Sequence, residues 1–392
     1  NYYFYHMIYR QLSKYIDIVS EKLPVITITG PRQSGKTTLV KEYFKNHQYI
    51  NFEELDIREW AQNDPRGFLE SNNSQLILDE VQKVPSLFSY LQPLVDKSNK
   101  PGQYILSGSQ SFLLSENISQ TLAGRAAVLE LLPFNWTELE KQLPANFSEY
   151  DYIFKGSFPR IYDKGIEPQM FYPSYIRTYV ERDVRLIKNI TDLGLFQRFI
   201  KLCAGRIGQL LNISSLATDC GISVNTAKGW LSVLEQSYII FFLRPYHKNF
   251  NKRLIKMPKL YFHDTGLACS LLEIEKPMQL TTHYLRGNLF ENLVILELLK
   301  CRYNKGMPSN LYFWRNNHGN EIDCIINQPE FPFAIEIKSG KTFSTDMLQG
   351  LEYWQKISGS TKNLFLIYPG KISRKSGDTQ IINWKQTPNI DI

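Results

Sequence analysis

The stretch that most constrains this chain is Gly30-Pro31-Arg32-Gln33-Ser34-Gly35-Lys36-Thr37, the pattern G-x-x-x-x-G-K-T. Its context is the one the pattern requires. An apolar run, Val25-Ile26-Thr27-Ile28-Thr29, precedes it, and Thr38-Leu39-Val40-Lys41-Glu42-Tyr43-Phe44 follows with helical character. A strand, a glycine-bearing turn and a helix N-terminus together make a phosphate cradle. Glycines let backbone N–H groups turn inward, and the helix end adds partial positive charge. In such a loop Lys36 reaches the β- and γ-phosphates of ATP, Thr37 holds Mg²⁺, and Thr38 opens the helix beside them.

The whole chain sets wider bounds. Its 392 residues suggest two or three domains. Hydrophobic residues at 43% and charged residues at 21% supply material for several cores. A net charge of +7 is compatible with nucleic acid without demonstrating it. The cysteines (Cys203, Cys220, Cys269, Cys301, Cys324) are odd in number and scattered, with no C-x-x-C. Neither a disulfide framework nor a zinc ribbon is expected; they read as reduced packing residues. No apolar run approaches a membrane span, and Asn1–His6 has neither the basic flank nor the apolar core of a secretory leader. The expected setting is cytoplasmic.

Further motifs follow the loop. Leu76-Ile77-Leu78-Asp79-Glu80 is an apolar strand ending in two acids. Asp79 would hold Mg²⁺ through water, and Glu80 would orient and deprotonate the attacking water. Tyr104-Ile105-Leu106-Ser107-Gly108-Ser109 is another short strand, and Ser107 or Ser109 could meet the γ-phosphate or that water. Arg125, in Leu122-Ala123-Gly124-Arg125, has two readings. It is either an arginine finger acting on a neighbouring copy, which implies a homo-oligomer, or a structural arginine bound to a carboxylate. Arg160 is a weaker second candidate.

These motifs, with Leu131-Leu132-Pro133-Phe134, Gly156-Ser157-Phe158-Pro159 and Tyr175-Ile176-Arg177-Thr178-Tyr179-Val180-Glu181-Arg182-Asp183-Val184, resemble a family of prokaryotic AAA-type ATPases similar to archaeal ATPases. The likeness covers nearly the whole chain. It implies a C-terminal domain of unknown function related to restriction endonucleases. The expected fold class is α/β: a P-loop NTPase (AAA-type) parallel sheet, a helical and winged-helix module, then a restriction-endonuclease-like α/β domain. The expected limits are 7–165, 166–250 and 251–392.

Two stretches point to DNA. Leu210–Glu235 reads as two helices about a tight turn, with Gly221 in the turn and Ser223 capping the second helix. Tyr238–Leu243 would be a wing strand. In a DNA reader Val224, Asn225, Thr226 and Lys228 would face the major groove. The other use of such a module is packing, or transmission of ATPase motion. Arg244–Lys259 then carries Arg244, Lys248, Lys252, Arg253, Lys256 and Lys259 without one acid. Such a run suits a phosphate backbone and equally a solvated ribbon.

The C-terminal third has a nuclease-like pattern: Asp323, then Glu336-x-Lys338 on a strand, with Glu291 on the helix around Leu289–Leu299. Strand alternation points Glu336 and Lys338 to one face. Asp323 and Glu336 could share Mg²⁺, with Glu291 as a further ligand. Lys338 would activate water or stabilise the phosphorane. The domain either cleaves DNA or retains the residues for recognition alone.

Overall fold

The computed structural model describes residues 8–72, 75–109, 121–184, 190, 192–246 and 256–392. It divides into two compact units: Asn1–Phe134 with Tyr303–Met307, and Asn135–Arg302 with Pro308–Ile392. The first unit ends at Phe134, short of the limit of 165 read from the sequence. The reason lies in the Asn135–Lys155 segment. The Trp136 amide donates to Glu297 (2.7 Å) and the Tyr152 hydroxyl to the same carboxylate (3.1 Å), so this segment packs within the second unit.

In the first unit β1 (Val25–Thr29), β2 (Gln48–Asn51), β3 (Leu76–Asp79), β4 (Tyr104–Ser107) and β5 (Ala126–Glu130) form a parallel sheet, ordered β2-β3-β4-β1-β5. Alternation along the strands divides their side chains between two cores. Val25, Leu76, Leu78, Tyr104 and Leu106 pack with Phe68, Phe88 and Leu91. Ile26, Ile28, Ile77, Ile105 and Leu129 pack with Leu12, Ile16, Leu39 and Val40 on the other face. Burial on both faces is why these strands read as unbroken apolar runs. Because β4 lies between β1 and β3, Ser107 is level with both Ile28 and Asp79. The strand ends carrying Asp79 and Ser107 thus open beside the Gly30–Thr37 loop.

In the second unit the helices Ile213–Cys220 and Val224–Gln236 flank Gly221, whose φ of 80° makes the turn. Ser223 caps the second helix by accepting from the Thr226 amide at 3.0 Å. The next strand, β6 (Ile240–Pro245), pairs antiparallel with β7 (Lys259–Phe262). The expected wing strand is not a free ribbon. β6 runs on beside β8 (Leu311–Arg315), through Arg244 opposite Tyr312, and so joins a larger sheet.

That sheet also contains β9 (Glu321–Ile326), β10 (Phe333–Ile337), β11 (Leu364–Tyr368), β12 (Arg374–Ser376) and β13 (Thr379–Asn383), ordered β12-β13-β11-β10-β9-β8-β6-β7. β8, β9 and β10 are antiparallel neighbours, and β11 is parallel to β10. The helices Arg286–Asn304 and Gln349–Ser358 complete an α-β-β-β-α-β succession. Trp354 and Leu351 from the second of these pack on Trp314, Ile322 and Leu366.

The Gly156-Ser157 and His263-Asp264 motifs have a structural explanation. Asp264 is buried and accepts from the Ser157 amide (2.8 Å) and the Tyr172 hydroxyl (2.6 Å). It also caps the helix Thr265–Leu271 through the Leu267 amide (3.0 Å). The five cysteines are free and buried. No helix among the described residues is long and apolar enough to cross a membrane.

Candidate functional site

The loop after β1 is shaped by close approach. Gly30 has a φ of 144°, and a Cβ there would lie 2.2 Å from the Leu131 carbonyl oxygen. Gly35 (φ 95°) sits at the N-cap of the helix Lys36–Tyr43. The Lys36 ammonium is buried and donates to the carbonyls of Gly30 (2.9 Å) and Pro31 (2.8 Å), folded across the loop. Burial pulls its pKa down to about 8, against the opposing pull of Glu80 and Asp79. Ser34 Oγ and Gln33 Oε1 are buried without a hydrogen-bond partner. Such orphans inside a phosphate cradle fit a loop built to receive a ligand. Pro31 is buried, whereas Arg32 and Thr38 are exposed at its rim.

At the centre stands Asp79. Its Oδ2 accepts from the Thr37 hydroxyl at 2.8 Å and the Tyr49 hydroxyl at 2.7 Å. Its Oδ1 accepts from the Ser107 hydroxyl and from the Glu80 amide (3.2 Å). Thr37 and Asp79, the two residues expected around Mg²⁺, are therefore adjacent. A hydroxyl and a carboxylate oxygen suit that hard cation. Glu80 has left-handed backbone angles (φ 55°, ψ 39°), an unusual conformation for a side chain of this size that turns it out of the strand line. Its carboxylate accepts from Gln82 and, at 3.3 Å, from Ser109. Both serines named from sequence thus serve the acids: Ser107 holds Asp79 and Ser109 reaches Glu80.

Two contributors were not foreseen. Tyr49 buttresses Asp79 from β2. Arg10 donates to the Ser34 carbonyl (2.8 Å) and the Leu132 carbonyl (2.5 Å), clamping the loop from behind. No local pattern marks Arg10, because its partners lie far along the chain. Arg125 stands away from this group and pairs with Asp96, its Nη2 donating at 3.1 Å.

On the helix Val224–Gln236, Val224, Asn225 and Lys228 are exposed and Thr226 is half-buried. Most of the basic run, residues 247–255, lies outside the described residues. Lys259 corrects that reading. It is 4% exposed and cannot meet a phosphate backbone. Its ammonium instead lies 2.8 Å from Glu291, 4.0 Å from Asp323 and 2.5 Å from Glu321.

Lys259 thus sits among Glu291, Asp323 and Glu321 in the second unit. The structure brings Glu291, Asp323, Glu336 and Lys338 to one pocket of about 470 Å³, also lined by Glu321 and Asp346. Lys338 pairs with Glu336 and lies 3.9 Å from Asp323, as the shared strand face requires. Asp323 also accepts from the Ile337 amide at 2.8 Å. As the side chains stand, no group of three or more His, Cys, Asp or Glu among the described residues is arranged round a metal position. The place between Glu291 and Asp323 is taken by an ammonium. Burial pulls the Lys259 pKa down, but Glu291, Asp323 and Glu321 together hold it above the ordinary lysine range. Burial raises Glu336 to about 8 with Asp323 adding to the rise, and raises Glu291 to about 7 against the pull of Lys259.

Comparisons with known proteins agree with the first unit. Residues 22–140 match the family model of an AAA domain. Residues 147–278 and 286–387 each match a domain of unknown function. An uncharacterized protein of Mycobacterium tuberculosis is 28% identical over 364 residues, 92% of this chain and 80% of that one. An uncharacterized protein of Methanocaldococcus jannaschii is 27% identical, over 79% of this chain and 73% of its own. A Walker-type ATPase of Pyrococcus abyssi superposes with a TM-score of 0.40 and 14% identity, covering 67% of this chain and 95% of that one.

Proposed function

We propose that the protein binds ATP with Mg²⁺, hydrolyses it, and couples that cycle to DNA contact through the second unit. The observation that carries the reading is Asp79, bonded at once to Thr37 and Ser107 with Glu80 turned out beside it. Backbone N–H groups of Gly30–Thr37, including those of Arg32, Gln33 and Ser34, cradle the phosphates, and Lys36 leaves its two carbonyls for them. Thr37 and Asp79 would hold Mg²⁺, which would supply charge neutralisation on the phosphate oxygens. Glu80 accepts the proton of the attacking water, with Ser109 holding that carboxylate. In an assembly of copies, Arg125 would exchange Asp96 for a neighbour's phosphate.

The second unit is read as a winged-helix module joined to a restriction-endonuclease-like fold. Asn225, Thr226 and Lys228 face DNA, with Arg244 and Lys256 exposed nearby in sequence. Lys259 favours a domain that does not cleave, because a cation already stands among the carboxylates. Lys338 then serves as the partner of Glu336 rather than as a catalyst.

Fluorescent-nucleotide titration and DNA anisotropy test the two halves. Lys36→Ala should abolish ATP binding and leave the fold intact. Lys228→Ala should weaken DNA binding and lower the salt slope by about one. Nucleotide affinity unchanged in Lys36→Ala sinks the first half, and absence of any salt-dependent DNA binding sinks the second.

A further inference from the structure

We infer that Lys259 is the resident cation of the acidic pocket, so that the pocket takes no divalent metal while Lys259 is in place. The residue opens β7, where the backbone holds it on two sides. It pairs with Leu243 of β6, and it bridges to Leu210 in the connection before the helix–turn–helix. Its side chain is almost wholly buried, and its ammonium lies 5.6 Å from the centroid of the Phe313 ring. From there it contacts Glu291 and Glu321 directly and lies at the edge of contact with Asp323. The rest of the pocket is balanced in the same way. Lys338 pairs with Glu336, and Arg315 with Glu321 at 3.1 Å. Two lysines of the pocket lining, with Arg315 reaching Glu321 from outside it, thus face five carboxylates, Asp346 included.

A divalent ion needs several carboxylate oxygens at about 2.0–2.6 Å. Here it would meet a buried ammonium already bonded to Glu291 and Glu321. Leaving the ammonium unpaired in this buried place would be costly. Glu336 Oε2 remains buried without a partner, confined beside Gly350, where an added Cβ would approach it to 2.9 Å. One confined oxygen does not by itself make a metal site. This inference rests on the non-cleaving reading of the domain, and the following experiment separates the two.

Free Mn²⁺ is followed by electron paramagnetic resonance as it is titrated into the full chain without nucleotide. Wild type and Asp323→Asn should bind equally, so that no site depends on Asp323. Lys259→Met should gain one site at least tenfold tighter, and adding Glu291→Gln should remove it. An Asp323-dependent Mn²⁺ site in wild type overturns the inference, and that comparison decides the matter even if Lys259→Met does not fold. A folded Lys259→Met without a new site overturns it too. Wild type that binds Mn²⁺ there but leaves DNA uncut defeats the inference alone. Cleavage without such a site defeats the non-cleaving reading.

Discussion

Replacing Asp79 by Asn tests the hub of the nucleotide site at the level of single hydrogen bonds. The carboxylate accepts four donors: Thr37 and Tyr49 at one oxygen, Ser107 and the Glu80 amide at the other. The amide N–H of Glu80 cannot rotate, so the new side chain must keep its oxygen there and turn its NH₂ toward Thr37 and Tyr49. Those two hydroxyls then have to swing round and accept. All four bonds lose their charge assistance, each weakening by about 0.5 kcal/mol, for a total of about 2 kcal/mol. Because β3 is an interior strand of the parallel sheet, between β2 and β4, the loss should appear where that sheet opens. Native-state hydrogen exchange should show amides of β1, β3 and β4 exchanging about 30-fold faster, the factor that 2 kcal/mol corresponds to. Exchange within twofold of wild type would mean that the negative charge contributes nothing to the network and would refute the reasoning.

Other consequences concern the second unit. His263 is buried with an unpartnered Nδ1, and burial, with Lys300 adding to it, lowers its pKa to about 3. The unfolded chain therefore binds a proton that the folded one refuses, and stability falls as pH drops below about 6.5. At pH 5 this costs about 2 kcal/mol, and urea unfolding of His263→Gln should lose that part of the pH dependence. Gly156 has φ 64° and ψ −159°, and a Cβ there would lie 1.9 Å from the Tyr172 hydroxyl and 2.4 Å from Asp264. Gly156→Ala should cost about 3 kcal/mol through backbone strain and displaced packing, read by tryptophan fluorescence, and a change under 1 kcal/mol would count against this contact.

What was legible in the sequence depended on how local the cause was. β1, β3 and β4 could be read because both their faces are buried and their polar ends abut the loop. Gly221 and Ser223 announced their turn and cap for the same local reason. Glu336 and Lys338 were placed together by strand alternation alone. Lys259 could not be read correctly, because a basic run without acids looks solvated until Glu291 and Glu321 are brought to it from distant elements. Arg10 and Tyr49 were missed because each acts on partners that only the sheet order makes neighbours. β6 kept its strand character but changed its role, since its edge was claimed by β8.

The most direct test of the account is steady-state ATP turnover with Mg²⁺ by wild type and Glu80→Gln, with ATP affinity measured on the same samples. The substitution keeps the side chain's size and removes its basicity. The account predicts affinity within about threefold of wild type and turnover at least about 100-fold slower. Turnover at the wild-type rate in Glu80→Gln would contradict it.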